Sequence, residues 1–110
     1  SYFTIELKDE IPQEVQGKFE DWIFGCDICQ DVCPWNRFAK PTDEADFLPR
    51  EGVAAPDLLE LVGMDEVSFN DRFEGTPVRR ATFSGMRRNA RIALENAVAL
   101  KEGSCADCKC

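Results

Sequence analysis

The chain contains no histidine. That absence excludes zinc sites of the mixed Cys/His kind and the common catalytic arrangements that need an imidazole base. Long hydrophobic runs are missing too: nothing approaches the roughly 20 apolar residues of a membrane span. The opening "SYFTIELKDE" lacks the basic start and apolar stretch of a cleavable leader. A soluble, cytoplasmic protein without a membrane partner is expected. Positive charge is also scarce. Thirteen Lys and Arg face 21 Asp and Glu, for a net charge of -8, which argues against non-specific nucleic-acid binding by the whole domain. The deficit is uneven. Between residues 79 and 91 the chain reads "RRATFSGMRRNAR", with five Arg and no acid, so a local positive surface is expected there.

What is present suffices for one small domain. The 110 residues are 44% hydrophobic, with eight Phe and two Trp, enough for a core and unlike a disordered chain. The first residue is Ser, and the sequence reads as the C-terminal part of a longer protein. Six cysteines form two tight groups, Cys26, Cys29, Cys33 and Cys105, Cys108, Cys110. Disulfide frameworks spread their cysteines to staple distant segments. Tight groups read better as metal ligands or redox thiols.

The first group, "CDICQDVCP", has the spacing C-x2-C-x3-C-P. A bacterial ferredoxin run is C-x2-C-x2-C-x3-C-P, and its last Cys ligates the other cluster in two-cluster proteins. The present stretch matches the last three positions and the proline, while the first position falls on Ile23, which cannot ligate iron. Two residues between ligands let the backbone curl so that both sulfurs face one cluster, with amide hydrogens aimed at its sulfides. Cys26 and Cys29 are expected to bind one cluster and Cys33 a second. A partial zinc site or unliganded thiols are the competing readings. The second group, C-x2-C-x-C, is either a further set of ligands or a tail of reduced thiols, and the latter is preferred.

Periodicity organises the rest. Residues 2–7 alternate as a short strand. "PQEVQGKFEDWIF" is expected to be a helix with Val15, Phe19, Trp22 and Ile23 on one face, stopped by Gly25. A single helical turn is expected between the cysteines. Residues 39–56 read as an extended connection. Short helices follow, one with Leu58, Leu59, Leu61 and Val62 as its apolar side, the next burying Val67, Phe69 and Phe73 and ending at Gly75. "TPVRRATF" opens with Thr as cap and Pro at the first helical position. In "SGMRRNARIALENAVALKEG", Ser84 caps a helix with Met86, Ala90, Ala93, Leu94, Ala97 and Leu100 as its stripe, ending at Gly103.

"FGCDICQDVCPWNRFA" resembles the second cysteine motif of the epoxyqueuosine reductase family, and "TPVRRATFSGMRRNARIALENA" resembles that family's segment after the clusters. "SYFTIEL" resembles the strand ahead of the motif. The resemblance runs from about residue 1 to 97. It implies a tRNA-modifying oxidoreductase that reduces epoxyqueuosine to queuosine in the anticodon, with cobalamin at the epoxide and two [4Fe-4S] clusters relaying electrons from a donor. It also assigns Cys26 and Cys29 to one cluster and Cys33 to the other. The implied fold is mostly α with a short β element: a ferredoxin-like [4Fe-4S] half-site followed by HEAT-like helices. The segments would be 1–40 for the iron–sulfur part, 41–56 for the connection, 57–102 for the helices and 103–110 for the Cys-rich tail.

The family's first cysteine run, its cobalamin region and its acidic proton donor are absent, so no catalytic residue is expected within this chain, which would be inactive alone. Trp35, Asn36, Arg37 and Phe38 are candidates for the cofactor side, against ordinary packing over the cluster. Arg79, Arg80, Arg87, Arg88 and Arg91 are candidates for tRNA phosphate, against a solvated helix face. A monomer is expected. The alternative function is a stand-alone ferredoxin-type electron-transfer module, and a third reading is a zinc-holding structural domain.

Overall fold

In the computed structural model, the backbone is described for residues 1–107 and the side chains for residues 1–101. Among the described residues, five α-helices carry the fold: α1 (Gln13–Gln16), α2 (Ile28–Asp31), α3 (Leu58–Gly63), α4 (Glu66–Arg72) and α5 (Thr82–Asp107). Tighter 3₁₀ turns lie at Gly17–Phe19, Pro34–Phe38, Ala45–Phe47 and Pro77–Ala81.

Helices α3, α4 and α5 pack around one apolar core. Leu61, Phe69, Phe73, Ala81, Met86 and Ala90 are buried together. The Phe69 ring stacks obliquely on Phe73 and Phe83, with centroids 5.0 and 5.7 Å apart. Asp57 starts α3 by accepting the amide hydrogens of Leu59 and Glu60, a side-chain cap that satisfies otherwise orphaned donors. A Glu60–Arg72 ion pair ties α3 to α4. The expected apolar faces are only partly right. Leu61, Phe69 and Phe73 are buried, but Leu59, Val67 and Leu100 are exposed. Short helices of six and seven residues turn only one narrow stripe inward, so Leu59 and Val67 fall beyond it, while Leu100 lies on the long α5, beyond the stretch whose residues are buried.

The expected strand at residues 2–7 is not formed, and the described residues contain no strand. Tyr2–Glu6 instead make one wide helical turn, in which Leu7 N–H donates to the Tyr2 carbonyl. A strand needs a partner for its backbone groups. Here the carbonyls of Phe3, Thr4 and Leu7 are taken by side chains of α5. The expected helix from Pro12 is also shorter. It passes from α1 into the 3₁₀ turn and stops at Glu20, whose φ of 50° breaks the helical path.

Two capping expectations change as well. The Thr76 hydroxyl donates back to the Phe73 carbonyl and does not cap the turn that follows. Helix α5 starts two residues before Ser84. The Thr82 hydroxyl accepts from Gly85 N–H and lies 3.2 Å from the Ser84 hydroxyl. The helix also continues past Gly103. Residues 39–56 contain no α-helix, only the single 3₁₀ turn at Ala45–Phe47. No helix among the described residues is long and apolar enough to cross a membrane.

Candidate metal centre

The three cysteines of the first group lie on consecutive irregular segments. Gly25 has a φ of 71°, a left-handed conformation that a residue without Cβ adopts without strain. It turns the chain into Cys26. Helix α2 is the single turn expected between ligands; it contains Cys29, and its end leads into Cys33, whose N–H donates to the Gln30 carbonyl. Pro34 then begins the next turn, where it needs no hydrogen-bond acceptor. The Asn36 amide donates to the Gln30 carbonyl and Asn36 N–H donates to the Cys33 carbonyl, so Asn36 closes the loop on itself.

Cys26 and Cys33 are half-buried and Cys29 is exposed; all three are free thiols. Cys26 opens onto a cleft of about 240 Å³ that it shares with Thr4, Phe19, Trp22, Gly25 and Ile28. Around the motif, Ile28, Val32, Trp35 and Phe38 all expose more than half of their surface. Trp35 and Phe38 lean together at 5.9 Å, and the Arg37 guanidinium sits 4.7 Å above the Phe38 ring. Thus Trp35, Arg37 and Phe38 form one outward-facing cluster, while Asn36 points back into the loop.

The donor set suits an iron–sulfur cluster in part. Three soft thiols are present and no imidazole competes with them. Among the described residues, however, no three Cys, Asp or Glu side chains converge well enough to hold a metal ion by themselves. A complete four-ligand site therefore needs sulfurs beyond the described residues. Cys108 and Cys110 lie outside those residues, as does the side chain of Cys105.

The five arginines separate. Arg88 turns inward: its guanidinium donates to the carbonyls of Phe3 at 2.7 Å, Leu7 at 3.0 Å and Asp9, and to Asn89 Oδ1. Burial pulls its pKa below the usual arginine value, while nearby Glu10 pushes it back up. Arg80 pairs with Glu6 at 2.7 Å on the surface. Arg79, Arg87 and Arg91 are exposed. Arg87 and Arg91 flank an open groove of about 400 Å³ with Phe83 and Ser84, and Glu10 and Glu95 also line it.

Sequence reasoning missed the residues that hold the cysteine segment in place. Asn89 is 2% exposed, and its amide donates to the carbonyls of Thr4 at 2.7 Å and Ile23 at 2.9 Å. Asn96 donates to the carbonyls of Gln16 and Glu20, both at 3.0 Å. Thr4, also 2% exposed, accepts Gly25 N–H on its hydroxyl at 3.0 Å. The signal was available. Asn89 stands three residues after Met86 and four before Ala93, and Asn96 three after Ala93, so both lie on the apolar stripe of α5.

Comparison with known proteins agrees with this picture. Residues 1–36 match the 4Fe-4S double cluster binding domain. The chain is 55% identical over 94 residues to an epoxyqueuosine reductase of Cellulophaga algicola, covering 81% of this chain and 29% of that protein. This chain is similar to part of the epoxyqueuosine reductases. The enzyme from Pseudomonas aeruginosa is 47% identical over 97 residues, covering 88% of this chain and 27% of its own length. That from Escherichia coli is 44% identical over 97 residues, covering 88% and 26%. The chain thus spans less than a third of the length of these epoxyqueuosine reductases. No solved structure matches it with comparable significance.

Proposed function

We propose that this chain is the cluster-bearing and helical portion of an epoxyqueuosine reductase. Cys26 and Cys29 ligate one [4Fe-4S] cluster and Cys33 ligates a second, with the remaining ligands supplied from elsewhere in the protein. The observation that carries this reading is the double-cluster match over residues 1–36, which includes three free thiols at ferredoxin spacing. Bound clusters would supply electrons one at a time, and cobalamin held elsewhere in the protein would supply the chemistry for the two-electron, two-proton reduction of the epoxide to an alkene, with the oxygen leaving as water.

Within this chain the roles are structural and electrostatic. Cys26 faces the cleft beside Trp22 and Phe19, which limits water around one cluster. Ile28, Val32, Trp35 and Phe38 give the motif an exposed apolar surface on which the rest of the protein would pack. The exposed Arg79, Arg87 and Arg91 are the arginines free to reach RNA phosphate, while Arg88 is committed to backbone carbonyls. The helices from α3 onward would begin the HEAT-like array. The working protein is a cytoplasmic monomer fed by a separate electron donor.

The test is anaerobic iron, sulfide and zinc analysis with a visible spectrum of the full gene product, followed by assay on tRNA containing epoxyqueuosine. Iron and sulfide near eight each, lost in part in Cys29→Ser, is expected. Zinc without sulfide would overturn the reading. Clusters present without action on tRNA would favour a ferredoxin-type electron-transfer module.

A further inference from the structure

The polar residues on the inner face of α5 are placed where a packed helix would ordinarily carry apolar ones. A buried amide is costly unless all its hydrogen-bonding groups are satisfied. Asn89 meets that condition in one way only. Its neighbours are two carbonyls, from Thr4 and Ile23, and the Arg88 guanidinium. The carbonyls demand the NH₂ end and the guanidinium demands the oxygen, so the amide orientation is determined by its partners.

The two carbonyls belong to two different stretches of chain that meet beside Cys26. Ile23 lies three residues ahead of Cys26. Thr4 receives Gly25 N–H on its hydroxyl, and that hydroxyl in turn donates to the Ser1 carbonyl at 3.1 Å. Gly25 is the residue whose positive φ aims the chain at Cys26. Thr4, Gly25 and Cys26 line the same cleft. A continuous path therefore runs from α5 through Asn89 to Thr4 and Ile23, and from Thr4 to the Phe24–Gly25 peptide, one residue before Cys26. An ordinary structural tie is free to end anywhere on the N-terminal segment; this one ends within three residues of the thiol on both branches.

We infer that Asn89 and Thr4 are positioning residues for Cys26: they set the backbone that presents its sulfur and so govern how firmly the cluster on that side is held. The inference rests on cluster ligation by Cys26 as proposed above. Groups that orient a metal ligand without touching the metal commonly change metal retention by about 10–100-fold when removed.

The experiment uses the full gene product with its clusters in place and measures two quantities. One is the rate of iron loss to a chelator under anaerobic conditions, and the other is the electron paramagnetic resonance signal of the reduced protein. Thr4→Val keeps the shape of the side chain and removes the hydroxyl that accepts Gly25 N–H. Thr4→Ser restores that acceptor. Asn89→Ala cuts the path at α5. Phe69→Leu serves as a control, weakening the helical core, on which Ile23 and Phe24 also lean, while leaving every hydrogen bond of the Asn89–Thr4 path in place. Thr4→Val and Asn89→Ala are expected to lose iron about tenfold faster with an altered resonance signal, and Thr4→Ser to stay within about twofold of the parent. Phe69→Leu is expected to lower the melting temperature while retaining the parent rate and signal. Should Asn89→Ala fail to fold, the Thr4 pair decides alone. Iron loss from Thr4→Val no faster than from Phe69→Leu, with an unchanged signal, would overturn the inference and leave the cluster reading intact. A parent protein without iron and sulfide would overturn both.

Discussion

The helical region from residue 57 to 101 and the cysteine-bearing region from 1 to 39 are held by different forces. Side chains packed on side chains stabilise the first: Leu61, Phe69, Phe73, Met86 and Ala90 exclude water from a common core. The second has little core of its own. Its buried side chains are Thr4 and Ile11, while Trp35, Phe38 and Val32 face outward. Ile23 and Phe24 lean on the helical core, and side-chain amides and one guanidinium of α5 grip the segment's main-chain carbonyls. The difference follows from what each region has to do. Apolar packing tolerates small shifts of backbone, whereas hydrogen bonds to specific carbonyls set the path of an irregular segment residue by residue. A segment that must present thiols at set positions gains from the second kind of restraint.

The largest effects should come from attacking each region by its own chemistry. Phe73 is 1% exposed, and Phe73→Ala should cost about 3–5 kcal/mol by opening a cavity in the helical core. Asn89→Asp should cost less, about 1–3 kcal/mol, because one carboxylate oxygen keeps the Arg88 guanidinium while the other is turned against the Thr4 and Ile23 carbonyls, which lose their donor. Chemical denaturation measures both, and hydrogen exchange separates them. Phe73→Ala should expose amides of α3 and α4, and Asn89→Asp should first expose those of residues 2–7 and 22–26. Equal exposure of both regions in both variants would mean that they unfold as one unit and that the contrast has no energetic meaning.

Gly25→Ala sharpens the contrast at a smaller scale. Its added Cβ meets only Ile5 Cδ1 at 3.8 Å, an ordinary contact, so any penalty is conformational. Forcing an L-residue to a φ near 71° costs about 1–2 kcal/mol. The loss should appear in thermal unfolding and be accompanied by lower iron content. A loss of stability with full iron content would mean that the turn matters for folding but not for Cys26.

Much of the helical region was legible because period and burial agree there. Phe69, Phe73, Met86, Ala90 and Ala93 are buried as their spacing implies. The cysteine spacing likewise announced the helical turn at α2 before any coordinates. The failures have a common origin. The alternation of residues 2–7 resembles a strand, but its carbonyls are claimed by side chains 80 or more positions away, and no local pattern records that. Arg88 reads in sequence like the four surface arginines around it, because sequence shows charge and not direction. Asn89 and Asn96 interrupt an apolar stripe, and a polar interruption of that kind is the mark of a buried tie. It is recognised as such only once the stripe is laid over the helix and each interruption is asked for its partner.

The smallest effect tests whether surface charge contributes to the helical region at all. The Arg72 hydrogen bond is the main reason that the Glu60 carboxyl lies below its usual pKa, and burial and Asp57 oppose it. A carboxyl whose folded pKa is depressed adds stability above its unfolded value, about 4.3, and that contribution disappears as pH falls through the lower folded value. The parent should therefore lose a little more stability than Glu60→Gln as pH falls from about 4.3 through the lower folded value, and the two curves should run parallel above that window and again once Glu60 is protonated. Both groups reach solvent, so salt should shrink the gap. A gap that persists in high salt would assign Glu60 to the interlock of α3 with α4, and the helical region would then share some of the specific polar fastening that distinguishes the cysteine segment.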